Sequence, residues 1–288
     1  MAIKKIMVPV RGDGKGEGLL DHAVALASQT GSHIEVIHSH SQPRDILPYG
    51  TLMMTSAMKE SILESAAANA SEEEGRLRKI FDEYCESHNL LVTDRPSTAD
   101  DRISISWREE IGAQANVVSM QGRLADLTIV ARPDKDTSLG VNTLEAALLE
   151  TGKLVLMAPP AKVGTVGKHV AIAWNGDSRA ARAVTLALSL LEDADKVTVL
   201  SAERGGSDRL SGVQLIEYLA WHHIEATLDK FDSSKGSVGQ AILGCIRTIG
   251  ADTLLMGGYG HSRRRELILG GVTQHIIENA EVPILMAH

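Results

Sequence analysis

Short apolar runs alternate with longer amphipathic stretches along the whole chain. The run Lys4-Lys-Ile-Met-Val-Pro-Val-Arg-Gly-Asp13 is continuously apolar before a polar turn, which is the pattern of a strand buried on both faces. A helical spacing follows in Leu19, Leu20, Ala23, Val24 and Leu26, and then a second strand at Ile34-Glu-Val-Ile37. The same order recurs later. Lys168-His-Val-Ala-Ile-Ala-Trp-Asn-Gly-Asp177 precedes a helix carrying Ala183, Val184, Leu186, Ala187, Leu190 and Leu191, and then the strand Val197-Thr-Val-Leu200. Ala125 to Ala131 matches Ala251 to Gly257, and Lys153 to Met157 matches Val282 to Met286.

A repeated strand and helix alternation predicts βαβ units. The expected fold is α/β: two tandem Rossmann-like domains, each a doubly wound, parallel five-stranded sheet. One domain is expected over residues 1–160 and the other over 166–288, with the boundary near residue 163 in the Pro- and Gly-rich stretch Pro159 to Gly167. The copies differ in the middle. The first has a long helical stretch from about Leu52 to Ser87, a polar loop from Arg95 to Asp101 and a strand at Ile103 to Trp107. The second has only a shorter helix near Leu210 to Trp221. Met53, Met54 and Met58 read as core filling, with an adaptable interaction surface as the other reading.

Composition narrows the function. Lys plus Arg is 29 against Asp plus Glu 37, a net charge of −8, and aromatics are 3% of the 288 residues. Neither a positive field nor stacking platforms favour nucleic acid, and membrane surfaces are disfavoured too. No segment approaches the roughly 20 apolar residues of a membrane span, and the start has no leader pattern. Cys85 and Cys245 are the only cysteines. They suit a reducing compartment, so the expectation is a soluble, unprocessed, cytoplasmic protein, with both thiols acting as small buried hydrophobes.

The sharpest motif is Gly257-Gly-Tyr-Gly260-His-Ser-Arg-Arg-Arg-Glu-Leu-Ile-Leu-Gly270-Gly271-Val-Thr273. It follows an apolar strand and runs into a helix near Val272. Glycines at a strand's carboxyl end admit a ligand close to the backbone, and the unpaired N–H groups of a helix start attract phosphate. Arg263, Arg264 and Arg265 read as a solvated run or a phosphate contact. His261 and His275 flank the loop without a catalytic order.

The Gly-x2-Gly-x9-Gly spacing of Gly257, Gly260 and Gly270 resembles the nucleotide-binding members of the universal stress protein family. The Ala-Asp and Val-Pro-Ile-Leu segments extend that resemblance over the whole chain, as a tandem two-domain member. The resemblance implies that the second domain binds ATP, with Mg²⁺ as a companion ion. Ala173, Trp174 and Asn175 would lie near adenine and ribose, and Ala202 would line the adenine. Met256 and Gly257 would contact ribose and phosphate, while Gly260, Gly270, Gly271 and Val272 would cradle the phosphates with a hydroxyl from Thr273. Gly271 stands where the family's binders carry Ser or Thr, and Asn175 where many carry Asp. In the first copy Ala131, Asp134, Val141 and Asn142 replace the motif, so no ATP is expected there. By analogy the two domains would pack as a pseudo-dimer through their final strands, leaving a pairing of two chains open.

The remaining candidates have plainer readings. Gly12-Asp-Gly14-Lys-Gly16-Glu-Gly18 fails both dinucleotide and Walker patterns and reads as a surface turn or an anion contact. His222 and His223 read as packing, Asp126 and Asp252 as turn formers, and Asp13 and Asp177 as helix starts with a ligand contact as the alternative. No catalytic residue and no metal ligand is assigned. The leading function is a stress-response protein that binds ATP and acts as a regulatory or interaction protein. The alternatives are a dimerisation or interaction module that binds no nucleotide, and a weak ATPase or adenylyl-transfer enzyme.

Overall fold

The computed structural model describes residues 2–40, 55–95, 102–162, 164–202, 210–232, 236–258 and 271–288. The first half runs β1 (Lys5–Val10), α1 (Gly16–Thr30), β2 (His33–His40), α2 (Ser56–Ser87), β3 (Leu91–Val92), β4 (Ser104–Ile111), α3 (Gln114–Gln121), β5 (Leu127–Ala131), α4 (Val141–Glu150) and β6 (Leu154–Ala158). The second runs β7 (His169–Ala173), α5 (Ser178–Glu192), β8 (Lys196–Ala202), α6 (Gly212–Ala220), β9 (Ala226–Phe231), α7 (Val238–Ile249), β10 (Thr253–Gly257), α8 (Gly271–Asn279) and β11 (Ile284–Ala287).

Local chemistry explains several boundaries. Ser211 with Gln214, and Ser237 with Gln240, close reciprocal capping boxes at the starts of α6 and α7. Gly31 and Gly250 end α1 and α7 in left-handed conformations, which cost glycine nothing. The two ends of helix α2 have different fates. Phe81, Tyr84 and Cys85 near its carboxyl end are buried, whereas Met58 near its start is 55% exposed. The core-filling expectation therefore fails for Met58, whose turn of α2 carries mainly exposed residues; Met53 and Met54 fall outside the described residues.

The strands form one eleven-stranded sheet in the order β3-β4-β2-β1-β5-β6-β11-β10-β7-β8-β9. The α/β class of the sequence pattern holds and the described strands of each half are parallel throughout, but the halves share one sheet rather than forming two, and the first half has six strands instead of the expected five because the two-residue β3 adds to the edge of β4. The halves meet where β6 and β11 pair antiparallel, with Met157 opposite Ile284, Leu156 opposite Leu285 and Val155 opposite Met286. All six side chains are at most 1% exposed. Burying a Val, Leu, Ile or Met side chain contributes about 1.5–3 kcal/mol, so the seam is a substantial share of the core. Alternation along the strands sends Leu156 and Leu285 to one face and Met157 and Met286 to the other, and each face's apolar cluster runs through both halves. Among the described residues no helix is long and apolar enough to cross a membrane.

Candidate functional site

In the second half β7 lies between β8 and β10, so the chain leaves β7 in one direction and returns on its other side. Ligands in open α/β sheets bind where the order reverses, at the strands' carboxyl ends. Ala173 there stands opposite Met256 of β10 and Leu200 of β8, and Ala202 ends β8 opposite Phe231. Met256 is buried, while Ala173, Gly257 and Ala202 are half-buried.

Gly257 has a packing reason to be glycine. A Cβ there would lie 2.6 Å from the Ala180 nitrogen and 2.8 Å from the Arg179 carbonyl carbon. The first turn of α5 descends onto the end of β10, which brings its N-terminus to the crevice. Asp177 caps that turn by accepting the Arg179 N–H at 2.8 Å, the helix-start role read from the sequence. Asn175 is exposed, and its Oδ1 accepts the Asp177 N–H at 3.0 Å. Trp174 turns inward: its side chain belongs to the core and Nε1 donates to the Leu210 carbonyl at 2.9 Å. Only its backbone adjoins the crevice, because residues alternate across a strand end and 173 and 174 point to opposite faces.

On the other wall, α8 opens with Gly271. A Cβ there would meet nothing within 4 Å among the described residues, and the first N–H groups of this helix start have no helical acceptor. Val272 is exposed and Thr273 is buried. Gly260, His261, Arg263, Arg264, Arg265 and Gly270 lie outside the described residues. His275 packs under α7, since a Cβ on Gly239 would come within 2.9 Å of its ring. Gly258 was passed over in the sequence: a Cβ there would fall 2.7 Å from Leu148 of α4, a contact between halves that no local pattern announces.

The equivalent crevice of the first half is built differently. Its strands β1 and β5 pair at Ile6 with Leu127 and at Met7 with Thr128, and pairing stops ahead of Pro9, which has no N–H to donate. A hollow follows, lined by Pro9, Arg11, Asp13, Gln114, Ala131 and Thr143 among others. Arg11 donates to the Thr143 hydroxyl at 3.0 Å and lies 3.4 Å from Asp13. Lys15 reaches the Arg132 carbonyl at 3.2 Å. In place of a glycine loop, Asp134 accepts the N–H of Thr137 at 2.9 Å, its hydroxyl at 3.0 Å and the N–H of Asp136 at 3.0 Å. These bonds hold the Asp134 carboxyl below the usual range. Val141 and Asn142 begin α4 after Gly140, whose φ is 99°.

The other candidates are structural. Asp126 accepts the N–H groups of Lys4 and Lys5, and Asp252 those of Gly167, Lys168 and His169, tying the starts of β1 and β7 to their neighbours. The segment from Gly12 forms a turn, with Gly14 at φ 77°. His223 ends α6's turn at φ 58° and His222 packs against Tyr218. Cys85 is buried, its thiol pushed up to about 12 chiefly by that burial; Cys245 is half-buried, and its thiol is raised by desolvation and by Asp229. Both are poor nucleophiles.

Two Rossmann-like units in tandem, sharing one mostly parallel sheet, define the chain as an α/β protein of the doubly wound class. Residues 167–288 match the model of the Universal stress protein family. That match covers the second half alone, and the first half is a unit of the same fold. Over its length it is similar to a universal stress protein from Archaeoglobus fulgidus DSM 4304, with 14% identity, a TM-score of 0.69, and 98% of this chain and 97% of that one covered. It is also similar to a protein from Pseudomonas aeruginosa UCBPP-PA14, at 15% identity, TM-score 0.54 and coverage of 99% and 93%. A functionally unknown protein from Pseudomonas aeruginosa PAO1 aligns at 15% identity, TM-score 0.51 and coverage of 99% and 92%. At these identities the likeness is one of fold. No curated protein matches the chain.

Proposed function

We propose that the second half binds ATP with Mg²⁺ at the carboxyl ends of β7 and β10, and that occupancy regulates the protein's contacts in a cytoplasmic stress response. The observation that carries this reading is the wall made by Gly257 and Gly271. One glycine lets α5 close on the strand end, and a Cβ on the other meets nothing within 4 Å among the described residues at the start of α8. Adenine fits beside Ala173 and Ala202, and ribose beside Asn175. The phosphates fit against the backbone of Gly257, Gly260, Gly270, Gly271 and Val272, with Thr273 in the first turn of α8. The side chain of Trp174 is excluded from this set by its bond to Leu210. In this reading the protein acts by binding, with occupancy rather than turnover as its output.

A second reading, an interaction module without nucleotide, draws on α6. Trp221 is 85% exposed there, with Val213 and Leu210 also exposed. Calorimetric titration of nucleotide-stripped protein with ATP and Mg²⁺ separates the two. Saturable one-site binding that disappears in a Gly260→Val, Gly270→Val double variant supports the nucleotide reading. Heat-silent mixing at millimolar ATP leaves the interaction module.

A further inference from the structure

A cluster of metal-ligand type lies at the other end of the sheet, away from the nucleotide crevice. His38 and His40 are two residues apart on β2 and so share a face, and the parallel register sets His38 directly beside Glu109 of β4. Glu109 Oε2 is 2.8 Å from His38 Nδ1 and 3.6 Å from His40 Nδ1. One ligand atom from each of the three side chains fits within 4.8 Å of the others.

The surroundings hold this arrangement in place. The Trp107 indole N–H donates to Glu109 Oε1, which leaves Oε2 for the two imidazoles. The Trp107 ring stacks on His38 at 5.9 Å and meets Phe81 at 5.2 Å. Ligand residues oriented by such outer partners are the usual design of a metal centre. The His38 side chain is 4% exposed, so the cluster sits at the margin of the core.

A plain hydrogen bond between His38 and Glu109 accounts for two of the three groups. It leaves His40 Nδ1 buried without a hydrogen-bond partner among the described residues, because 3.6 Å to the carboxylate is too long. Buried polar atoms are normally met by something, and an unmet one costs free energy. A cation between the three side chains meets all of them.

We infer that His38, His40 and Glu109 bind a divalent cation of the zinc class. Two imidazoles and one carboxylate suit Zn²⁺ and its neighbours, whereas Mg²⁺ and Ca²⁺ take oxygen sets. Bonds of about 2.0–2.1 Å in a tetrahedron place ligand atoms about 3.3 Å apart. The spacing of 3.6 Å is near that value, and the 2.8 Å contact opens to it by small side-chain rotations. Three protein ligands leave the fourth position for water or an exogenous ligand.

The test is titration of the metal-free full chain with Zn²⁺ against a chromophoric chelator, and with Co²⁺ followed by visible absorption. Wild type should take up one Zn²⁺ per chain and show the intense bands of tetrahedral Co²⁺. His40→Ala and Glu109→Gln should each weaken Zn²⁺ at least about tenfold and abolish those bands, while a His222→Ala, His223→Ala variant should bind as wild type does. His40 is on the more exposed side of the cluster, with a side chain 29% exposed, so its variant keeps the fold; an unchanged thermal melt without metal confirms this. Zn²⁺ affinity equal in wild type and both variants, or no uptake in the micromolar range, overturns the inference.

Discussion

The two aspartates before the fourth main strand of each half look alike in sequence, yet their hydrogen bonds make an isosteric change cost different amounts. Asp126 accepts the N–H groups of Lys4 at 2.9 Å and Lys5 at 3.0 Å, both on Oδ2. In Asp126→Asn the amide oxygen can take the Oδ2 place, so both bonds survive and only their charge assistance weakens. Asp252 uses both oxygens. Its Oδ2 accepts the Thr165 hydroxyl at 2.7 Å and the N–H groups of Lys168 and His169, while Oδ1 accepts the Gly167 N–H at 3.0 Å and the Thr253 hydroxyl at 2.9 Å. In Asp252→Asn an NH₂ group must face donors whichever way the amide turns. Hydrogen bonds to a charged group contribute about 1.5–3 kcal/mol each, and the Gly167 N–H keeps a second acceptor in Thr253 Oγ1 at 2.7 Å. The loss should be about 2–3 kcal/mol for Asp252→Asn and under about 1 kcal/mol for Asp126→Asn. Urea unfolding followed by circular dichroism reads the difference as a shift in midpoint at unchanged slope. Equal losses in the two variants, or a larger loss at Asp126, would refute the reasoning.

Three further outcomes follow from the packing and the titratable groups. Gly257→Ala should destabilise by about 1–3 kcal/mol, because its methyl meets the backbone of α5. Gly244→Ala, in the middle of α7 with nothing within 4 Å of its Cβ, should stabilise by up to about 1 kcal/mol; denaturation midpoints check both. His22 is buried, its Nδ1 donates to the Gly18 carbonyl, and its Nε2 has no partner; desolvation holds its pKa below the ordinary 6.5. The unfolded chain thus binds this proton first, so stability present above about pH 6.5 is lost as pH falls. His33 and His169 are shifted the same way, and a fall in urea midpoint from about pH 7.5 to about pH 5.5, reduced in His22→Leu, is the expected reading. Gly271→Ser should raise ATP affinity by up to about tenfold in calorimetry, since its Cβ meets nothing within 4 Å among the described residues and the side chain adds one hydroxyl; unchanged affinity argues against a phosphate beside that residue.

Buried strands were the most legible feature of the sequence, because a parallel strand covered on both faces is an uninterrupted apolar run. The runs at Ile6 to Val10, Val170 to Ala173 and Leu254 to Met256 became β1, β7 and β10. The seam was legible only by analogy: nothing in Leu154 to Ala158 says which edge it will meet, since pairing depends on two apolar edges finding each other. Side-chain direction at a strand's end was less legible still. Trp174 looked like a ligand contact beside Asn175, but strand alternation sends it to the core. His38, His40 and Glu109 escaped notice because the register of β2 on β4 brings them together across 69 or more positions of sequence. Gly258 is similar, its reason lying in Leu148 of the other half.

Hydrogen exchange of the full chain with and without ATP and Mg²⁺ locates the nucleotide most directly. Binding at the second half's crevice should slow exchange in peptides covering residues 173–176, 256–258 and 271–276 and leave those covering 9–13 and 131–143 unchanged. Protection confined to the first half's hollow around Arg11 and Thr143, or none at millimolar ATP, would contradict a nucleotide site at the ends of β7 and β10.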